Sequence, residues 1–219
     1  SDGITSDNQL IITGTAEANA SVEVFIDAGS IGTATADGSG NWSFDHTGTT
    51  LADGSYAITA AATDASGNTS STSGALNITV DTAAPAAPSV SAITDDTGTA
   101  SDGITSDNQL IITGTAEANA SVEVFIDAVS IGTTTADGSG NWSFDHTGTT
   151  LADGSYAITA AATDASGNTS ATSSALNITV DTAAPSAPTV AAITDDTGTA
   201  SDGITSDNQL IITGTAEAN

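Results

Sequence analysis

Carboxylates are crowded between residues 95 and 107, and they are the side chains of this sequence best suited to chemistry. Four of these thirteen residues are aspartate, namely Asp95, Asp96, Asp102 and Asp107. Calcium binds about six to eight oxygen atoms from carboxylates, carbonyls and water, and a flexible loop with glycine can wrap around it. The segment therefore predicts a Ca2+ site. The alternative is that Asp, Gly, Ser and Thr form turns in an exposed loop, which requires no metal.

Two other segments, residues 137–141 and 164–168, share the spacing of the start of an EF-hand loop but not of its end. The twelfth position, which is glutamate in an EF-hand, falls on Gly148 and Ala175. We therefore interpret both segments as β-turns. Each full repeat has one histidine, and the sequence has no nucleophile elbow. We expect no catalytic residue and no enzyme activity.

The charge of the chain restricts its partners. It has 27 acidic residues and no lysine or arginine, which gives a formal net charge of -27. Such a chain repels nucleic acid and anionic membrane surfaces and attracts cations. No apolar run approaches the roughly 18 to 20 residues of a membrane span. We therefore expect no nucleic-acid partner and no direct membrane insertion in this segment.

The sequence repeats itself with a period of 100 residues, and only seven positions differ between residues 1–100 and 101–200. A unit of about 100 residues is large enough to form one domain with its own core. Prolines in Asp81–Pro88 and Asp181–Pro188 favour extended joints. We place the boundaries there, which gives the predicted units 1–84, 85–184 and 185–219. On this phasing the first unit lacks its first strand, the last contains only two strands, and neighbouring repeats are each other's partners.

Within a repeat, short alternating apolar segments are separated by clusters of Gly, Asn, Asp and Ser, a pattern typical of a β-sandwich. The fold class predicted is all-β, with tandem immunoglobulin-like sandwiches of about seven strands in a linear array. Val122, Val124 and Ile126 should face the core, and Tyr156 stands where such sandwiches place a corner tyrosine. The strands predicted in the middle repeat are residues 88–94, 108–115, 121–126, 130–136, 141–145, 155–163 and 175–180.

This topology also predicts which acidic residues meet. The acidic loop, the loop with Asp153 and the strand end with Asp181 should share one end of the sandwich. Consecutive sandwiches would bring that end against the opposite end of the next unit, and a calcium ion would lock the joint. A loosely tethered joint of repelling acids is the alternative. The residues expected at the first joint are Asp2, Asp53 and Asp81 from one unit and Glu117, Asp164 and Asn168 from the next.

Several segments carry a resemblance to a known family. They are SDNQLIITGTAEANASVEVFIDA, IGTATADGSGNWSFDHTGTTLADGSYAITAAATDASGNTS and ITVDTAAPAAP. Over the whole repeat, the sequence resembles the bacterial Ig-like repeats of giant surface adhesins and biofilm-associated proteins. The resemblance implies an extracellular location at the cell surface, export of a very long chain and stalk domains that calcium makes rigid.

The expected function is that of a structural extender, because each folded unit adds roughly 35 to 45 Å of length. One alternative is a subunit of an extracellular filament or biofilm matrix fibre. In it, residues 185–219 of one copy would complete the deficient sandwich of residues 1–84 in another. A ligand-binding module is a third hypothesis, with Phe125 as its main outward aromatic residue.

Overall fold

A computed structural model describes residues 3–193, 199, 204–206, 208–209 and 211–218. All regular structure in these residues is β-strand, which confirms the predicted fold class. The part of the chain that the structure describes contains no helix that is long and apolar enough to cross a membrane.

The first sandwich has two sheets of unequal size. One sheet has five strands in the order β1-β7-β6-β3-β4, and β2 pairs with β5 in the other. The short β1 runs parallel to β7, and the other pairs are antiparallel. The strands are β1 (Ile4–Thr5), β2 (Ile11–Thr15), β3 (Ser21–Ile26), β4 (Gly29–Thr35), β5 (Asn41–Asp45), β6 (Gly54–Thr63) and β7 (Leu76–Val80).

The second sandwich repeats this arrangement and adds one strand. Its five-stranded sheet has the order β12-β11-β14-β15-β9, and it faces a three-stranded sheet, β13-β10-β8. The strand β8 therefore extends the smaller sheet, in which the first sandwich has only two strands. The strands are β8 (Ser89–Ile93), β9 (Ile104–Thr105), β10 (Ile111–Thr115), β11 (Ser121–Ile126), β12 (Val129–Thr135), β13 (Asn141–Asp145), β14 (Gly154–Thr163) and β15 (Leu176–Val180).

Several strands are offset by one residue from the bounds expected from the sequence, and two differences are larger. The second predicted strand begins at Ile111 rather than Asn108. The acidic segment, expected to be an open loop, contains β9, which pairs in parallel with β15 through Ile104 and Thr105. The side chain of Thr105 is buried, and its hydroxyl donates to the carbonyl of Asp95 at 2.9 Å. Two residues are too few to show a strand period, so the sequence gives no signal for β9.

Alternation along the strands builds the core as expected. Val122 and Val124 on β11 are fully buried, in one core cluster with Ile158 of the neighbouring strand β14 and Trp142 of β13 in the opposite sheet. The hydroxyl of Tyr156 donates to the carbonyl of Ala152 at 2.9 Å, which is the corner contact that its position predicts. The sandwich thereby fixes the loop that precedes β14.

The third unit contributes two described strands. β16 (Thr189–Ile193) and β17 (Ile212–Thr215) form an antiparallel two-stranded sheet. Val190 and Ile212, whose counterparts pack in the second sandwich, are exposed here. This two-stranded sheet therefore exposes apolar side chains whose counterparts in the second sandwich belong to the core.

Candidate functional site: the acidic loop and the interdomain joint

A tight turn at residues 164–168 forms one side of the joint between the sandwiches. The carboxylate of Asp164 accepts hydrogen bonds from the backbone and the side-chain amide of Asn168, both at 2.9 Å. The amide of Gly167 donates to the carbonyl of Asp164 at 3.2 Å, and Gly167 has a φ of 90°, which favours glycine. Burial raises the pKa of Asp164, but the bonds from Asn168 outweigh it, so this pKa lies below its ordinary value. The segment is a β-turn, as predicted.

This turn contacts Asp81, the residue that follows β7. The side-chain amide of Asn168 donates to the carbonyl of Asp81 at 2.9 Å, and the hydroxyl of Ser166 donates to its carboxylate at 3.1 Å. Asp81 is held from its own side by Thr5, whose carbonyl accepts from the Asp81 amide at 3.0 Å. The joint is therefore closed by direct hydrogen bonds between the two sandwiches.

The first sandwich contains the same turn, and within the described residues no hydrogen bond joins this turn to another sandwich. Asn68 bonds to Asp64 as Asn168 bonds to Asp164, with backbone and side-chain distances of 2.8 and 2.9 Å. Asn68 is exposed, whereas Asn168 is half-buried. Because the two turns have the same sequence, the difference in burial comes from contact with the preceding sandwich.

Asp53 and Asp153 anchor the chain where it leaves each sandwich. The carboxylate of Asp53 accepts from the backbone amide and hydroxyl of Thr82 at 2.9 and 2.8 Å. Asp153 makes the same two bonds to Thr182 at 3.0 and 2.8 Å, and they lower the pKa of Asp153. Both residues fix the first residues of a joint rather than reach across it.

The remaining residues expected at the joints are only partly brought together. The amide of Asp181 donates to the carbonyl of Thr105 at 2.9 Å, which repeats the anchoring of Asp81, and its side chain is exposed. Glu117 is exposed on the β10–β11 connection, and within the described residues no hydrogen bond joins it to Asp81. Asp2 lies outside the described residues.

The carboxylates of the acidic loop mostly serve the loop itself. Asp102 accepts from the amide of Ile104, and Asp107 from that of Gln109, both at 2.9 Å. Such bonds to the backbone two residues ahead hold Asx turns, as in the alternative that requires no metal. Among the described residues there is no group of three or more His, Cys, Asp or Glu side chains placed to hold a metal ion.

Asp96 differs from the other acids of this loop. One of its carboxylate oxygens, Oδ2, accepts from the amide of Ser101 at 2.7 Å. The other oxygen, Oδ1, is buried and has no hydrogen-bond partner. A buried carboxylate oxygen without a donor is unfavourable, and a cation would satisfy it. The loop thus presents one unsatisfied oxygen ligand, next to Asp95, whose φ is 63°.

Three hydroxyl residues that the structure places at these sites were not predicted from the sequence. Ser166 bonds to Asp81 across the joint, and Thr82 and Thr182 bond to the anchoring aspartates. Serine and threonine are abundant throughout the chain, so residue type alone does not distinguish these three. For Thr82 and Thr182, the only sequence feature that points to this role is that each directly follows an aspartate expected at a joint.

This chain is therefore a modular β-sandwich protein, built from repeated immunoglobulin-like sandwiches that contact each other end to end. The chain belongs to the bacterial Ig-like domain family, whose family model matches residues 1–82 and 84–182. No curated protein matches the sequence.

Several solved structures are similar to this chain. The fibronectin(III)-like modules of Clostridium thermocellum CbhA are 18% identical, over 82% of this chain and 90% of theirs, with a TM-score of 0.48. A 1.5-MDa bacterial ice-binding adhesin is 28% identical, over 83% of this chain and 62% of that chain, with a TM-score of 0.43. The BSP domain of a biofilm-associated protein is 24% identical, over 83% of this chain and 29% of that chain, with a TM-score of 0.32.

Proposed function

We propose that this chain is a non-catalytic stalk segment of a large extracellular bacterial adhesin, in which serial sandwiches project a binding region from the cell surface. The observation that carries the proposal is the direct contact of the turn at residues 164–168 with Asp81. An array lengthens in proportion to its number of domains only if successive domains keep a defined orientation. Near-identical repeats that contact each other through their own ends meet that requirement.

The short joint supports the same role. Pro85 and Pro88 are buried, whereas their counterparts Pro185 and Pro188 are exposed. Proline fixes its own φ and disfavours helical conformations of the residue before it. Two buried prolines that follow the contact at Asp81 restrict the bending of the chain between β7 and β8.

Calcium stiffening is the finer part of the proposal. With no lysine or arginine in 219 residues, only dissolved cations can neutralise the acids at the joint and in the acidic loop. The buried, unpartnered Oδ1 of Asp96 supports a Ca2+ site at residues 95–107, because carboxylates and carbonyls are the ligands that calcium prefers. Calcium that binds only the folded form would stabilise it by about 2.7 kcal/mol at a hundredfold excess over Kd.

Small-angle scattering and thermal melting, each with calcium and with chelator, test both parts. An elongated particle of two units, roughly 35 to 45 Å each, supports the stalk, whereas two freely rotating beads would contradict it. A lower Tm in chelator supports calcium binding. Asp96→Asn should abolish that difference, whereas Asp102→Asn, an exposed control in the same loop, should retain it. An unchanged Tm in chelator would remove calcium from the account and leave the stalk.

A further inference from the structure

The short strand β9 connects the acidic loop of the second sandwich to the residue at which the chain leaves that sandwich. Its two residues pair in parallel with Thr179 and Val180 of β15. The carbonyl of Thr105 accepts from the amide of Asp181 at 2.9 Å, and the carbonyl of Gly103 accepts from the amide of Thr179 at 2.7 Å. β9 therefore holds the end of β15 up to and including Asp181.

The acidic loop approaches β15 closely enough to require glycine. Gly103 has a φ of 75°, and a Cβ atom there would lie 2.9 Å from the carbonyl oxygen of Asn177. Gly3 of the first sandwich has a φ of 78°, and a Cβ atom there would lie 3.0 Å from the carbonyl oxygen of Asn77. The close connection to the last strand of the large sheet is therefore a feature of both sandwiches.

The side chain of Thr105 contacts the acidic loop on both sides of Asp96. It is 1% exposed, and its hydroxyl donates to the carbonyl of Asp95 at 2.9 Å. The same hydroxyl lies 3.3 Å from the hydroxyl of Thr97 and accepts from the amide of Asp107 at 2.9 Å. A buried hydroxyl is unfavourable without such partners, so Thr105 and the loop hold each other in place.

Thr105 thus makes both connections, one through its side chain and one through its backbone. Asp96, between the two loop residues that contact Thr105, is the residue whose Oδ1 is buried without a partner. A change at Asp96, such as the binding of a cation, acts first on the residues at either side, and both of these contact the hydroxyl of Thr105. The carbonyl of Thr105 passes such a change on to Asp181.

Asp181 has the local structure of a joint residue. Its counterpart Asp81 makes the same bond to Thr5, at 3.0 Å, and accepts bonds from the second sandwich through its carbonyl and its carboxylate. The carboxylates of Asp81 and Asp181 also accept from the amide two residues ahead, at 3.1 and 3.0 Å. The residue that holds each of these aspartates therefore also orients the acceptors of a joint.

We propose that Thr105 couples the acidic loop to the joint that follows the same sandwich, with its hydroxyl bound to the loop and its carbonyl bound to Asp181. Thr105 is a positioning residue, which orders Asp181 when the loop is ordered and releases it when the loop opens. This coupling deepens the proposed stalk and rests on it, because the contact at Asp81 is what gives Asp181 its role. A cation in the loop would thereby stiffen a joint that it does not touch.

Hydrogen exchange of single amides in the full chain, followed by NMR in chelator, tests the coupling. Thr105→Val removes the hydroxyl and keeps the carbonyl. It should speed exchange of the Asp181 amide roughly two- to tenfold, the factor expected for one lost hydrogen bond. Ala136 follows β12, at the opposite edge of the large sheet from β9, and its amide bonds to the carbonyl of Ala120 at 3.0 Å. Exchange of the Ala136 amide should change less.

Two further variants make the result specific to the hydroxyl of Thr105. Thr105→Ser keeps a hydroxyl, so its Asp181 amide should exchange as in the wild type. Thr179→Val removes a hydroxyl from the neighbouring strand, where the bond runs to Ser155 rather than to the loop, and it should leave the Asp181 amide unchanged. Equal acceleration at Asp181 and Ala136, or equal effects of the two valine substitutions, would overturn the coupling.

Addition of CaCl2 tests the coupling in the wild-type chain as well. If calcium raises the Tm, it should slow exchange of the Asp181 amide more than that of the Ala136 amide, and Thr105→Val should remove this difference. A raised Tm with no such difference in the wild type would overturn the coupling. An unchanged Tm would remove the metal from the proposed function, whereas the comparison in chelator would still decide the coupling.

Discussion

Replacing Asn168 by alanine should destabilise the first sandwich, although Asn168 belongs to the second. The side-chain amide of Asn168 donates one bond to Asp164 within its own turn and one to the carbonyl of Asp81 across the joint. We expect the first sandwich to be the less stable of the two in this chain, since its core is partly open beside β2. It should therefore unfold first, and its unfolding would break the bond at Asp81.

The expected magnitude follows from one lost hydrogen bond. A single intramolecular hydrogen bond contributes about 0.5 to 1.5 kcal/mol net. With an m-value of about 1.5 kcal/mol/M in urea, the midpoint of the first sandwich should fall by roughly 0.3 to 1 M. The bond from Ser166 to Asp81 would remain and hold part of the joint.

Urea titration followed by NMR can separate the two sandwiches. The repeats differ at Gly29 and Val129, so the amide resonances of these residues report on one sandwich each. Asn68→Ala is the matched control, because Asn68 makes the bond within the turn but, among the described residues, no hydrogen bond to another sandwich. In Asn68→Ala only the Gly29 transition should shift. In Asn168→Ala both transitions should shift, and an unchanged Gly29 transition would refute the energetic role of the joint.

Two further predictions concern the sandwiches themselves. Tyr156→Phe removes the hydrogen bond to the carbonyl of Ala152 and should lower the unfolding free energy of the second sandwich by about 0.5 to 1.5 kcal/mol. The unfolding is followed at the amide resonance of Val129. An unchanged free energy would show that this bond contributes nothing to stability. Bonds from the backbone amides of Asn141 and Ser139 lower the pKa of Asp137, so its stabilisation is present above about pH 4 and is lost as the pH falls through the folded pKa. The difference in unfolding free energy between the wild type and Asp137→Asn should therefore shrink on acidification, and a difference that grew would contradict this sign.

Local patterns predicted the strands well where they were long enough to show a period. The bounds of Ser121–Ile126 and Asn141–Asp145 agree with the sequence because each alternates strictly between core and solvent. The two-residue strand Ile104–Thr105 carries no such pattern, and it forms because its position beside β15 supplies partners. Its existence depends on tertiary contacts that a single sequence does not encode locally.

One contact of the candidate site, between Asp81 and Asn168, was predictable from the sequence. The ends of the sandwich placed Asp81 near Asn168, and the structure joins them by a hydrogen bond. The acidic loop was expected to gather its carboxylates, but Asp102 and Asp107 each hold their own turn. Aspartate side chains bond readily to nearby backbone amides, and these local bonds compete with the gathering of carboxylates at one site. A count of acidic residues does not show which carboxylates make such local bonds.

A measured distance between the two sandwiches would show whether the joint at Asp81 holds them in one orientation. Ser43 and Ser143 are exposed at equivalent positions of β5 and β13, and labels on cysteines placed there allow pulsed electron spin resonance in dilute solution. We expect one narrow distance distribution, which Asn168→Ala broadens and Asn68→Ala leaves unchanged. A broad distribution in the wild-type chain, indifferent to both substitutions, would contradict this expectation.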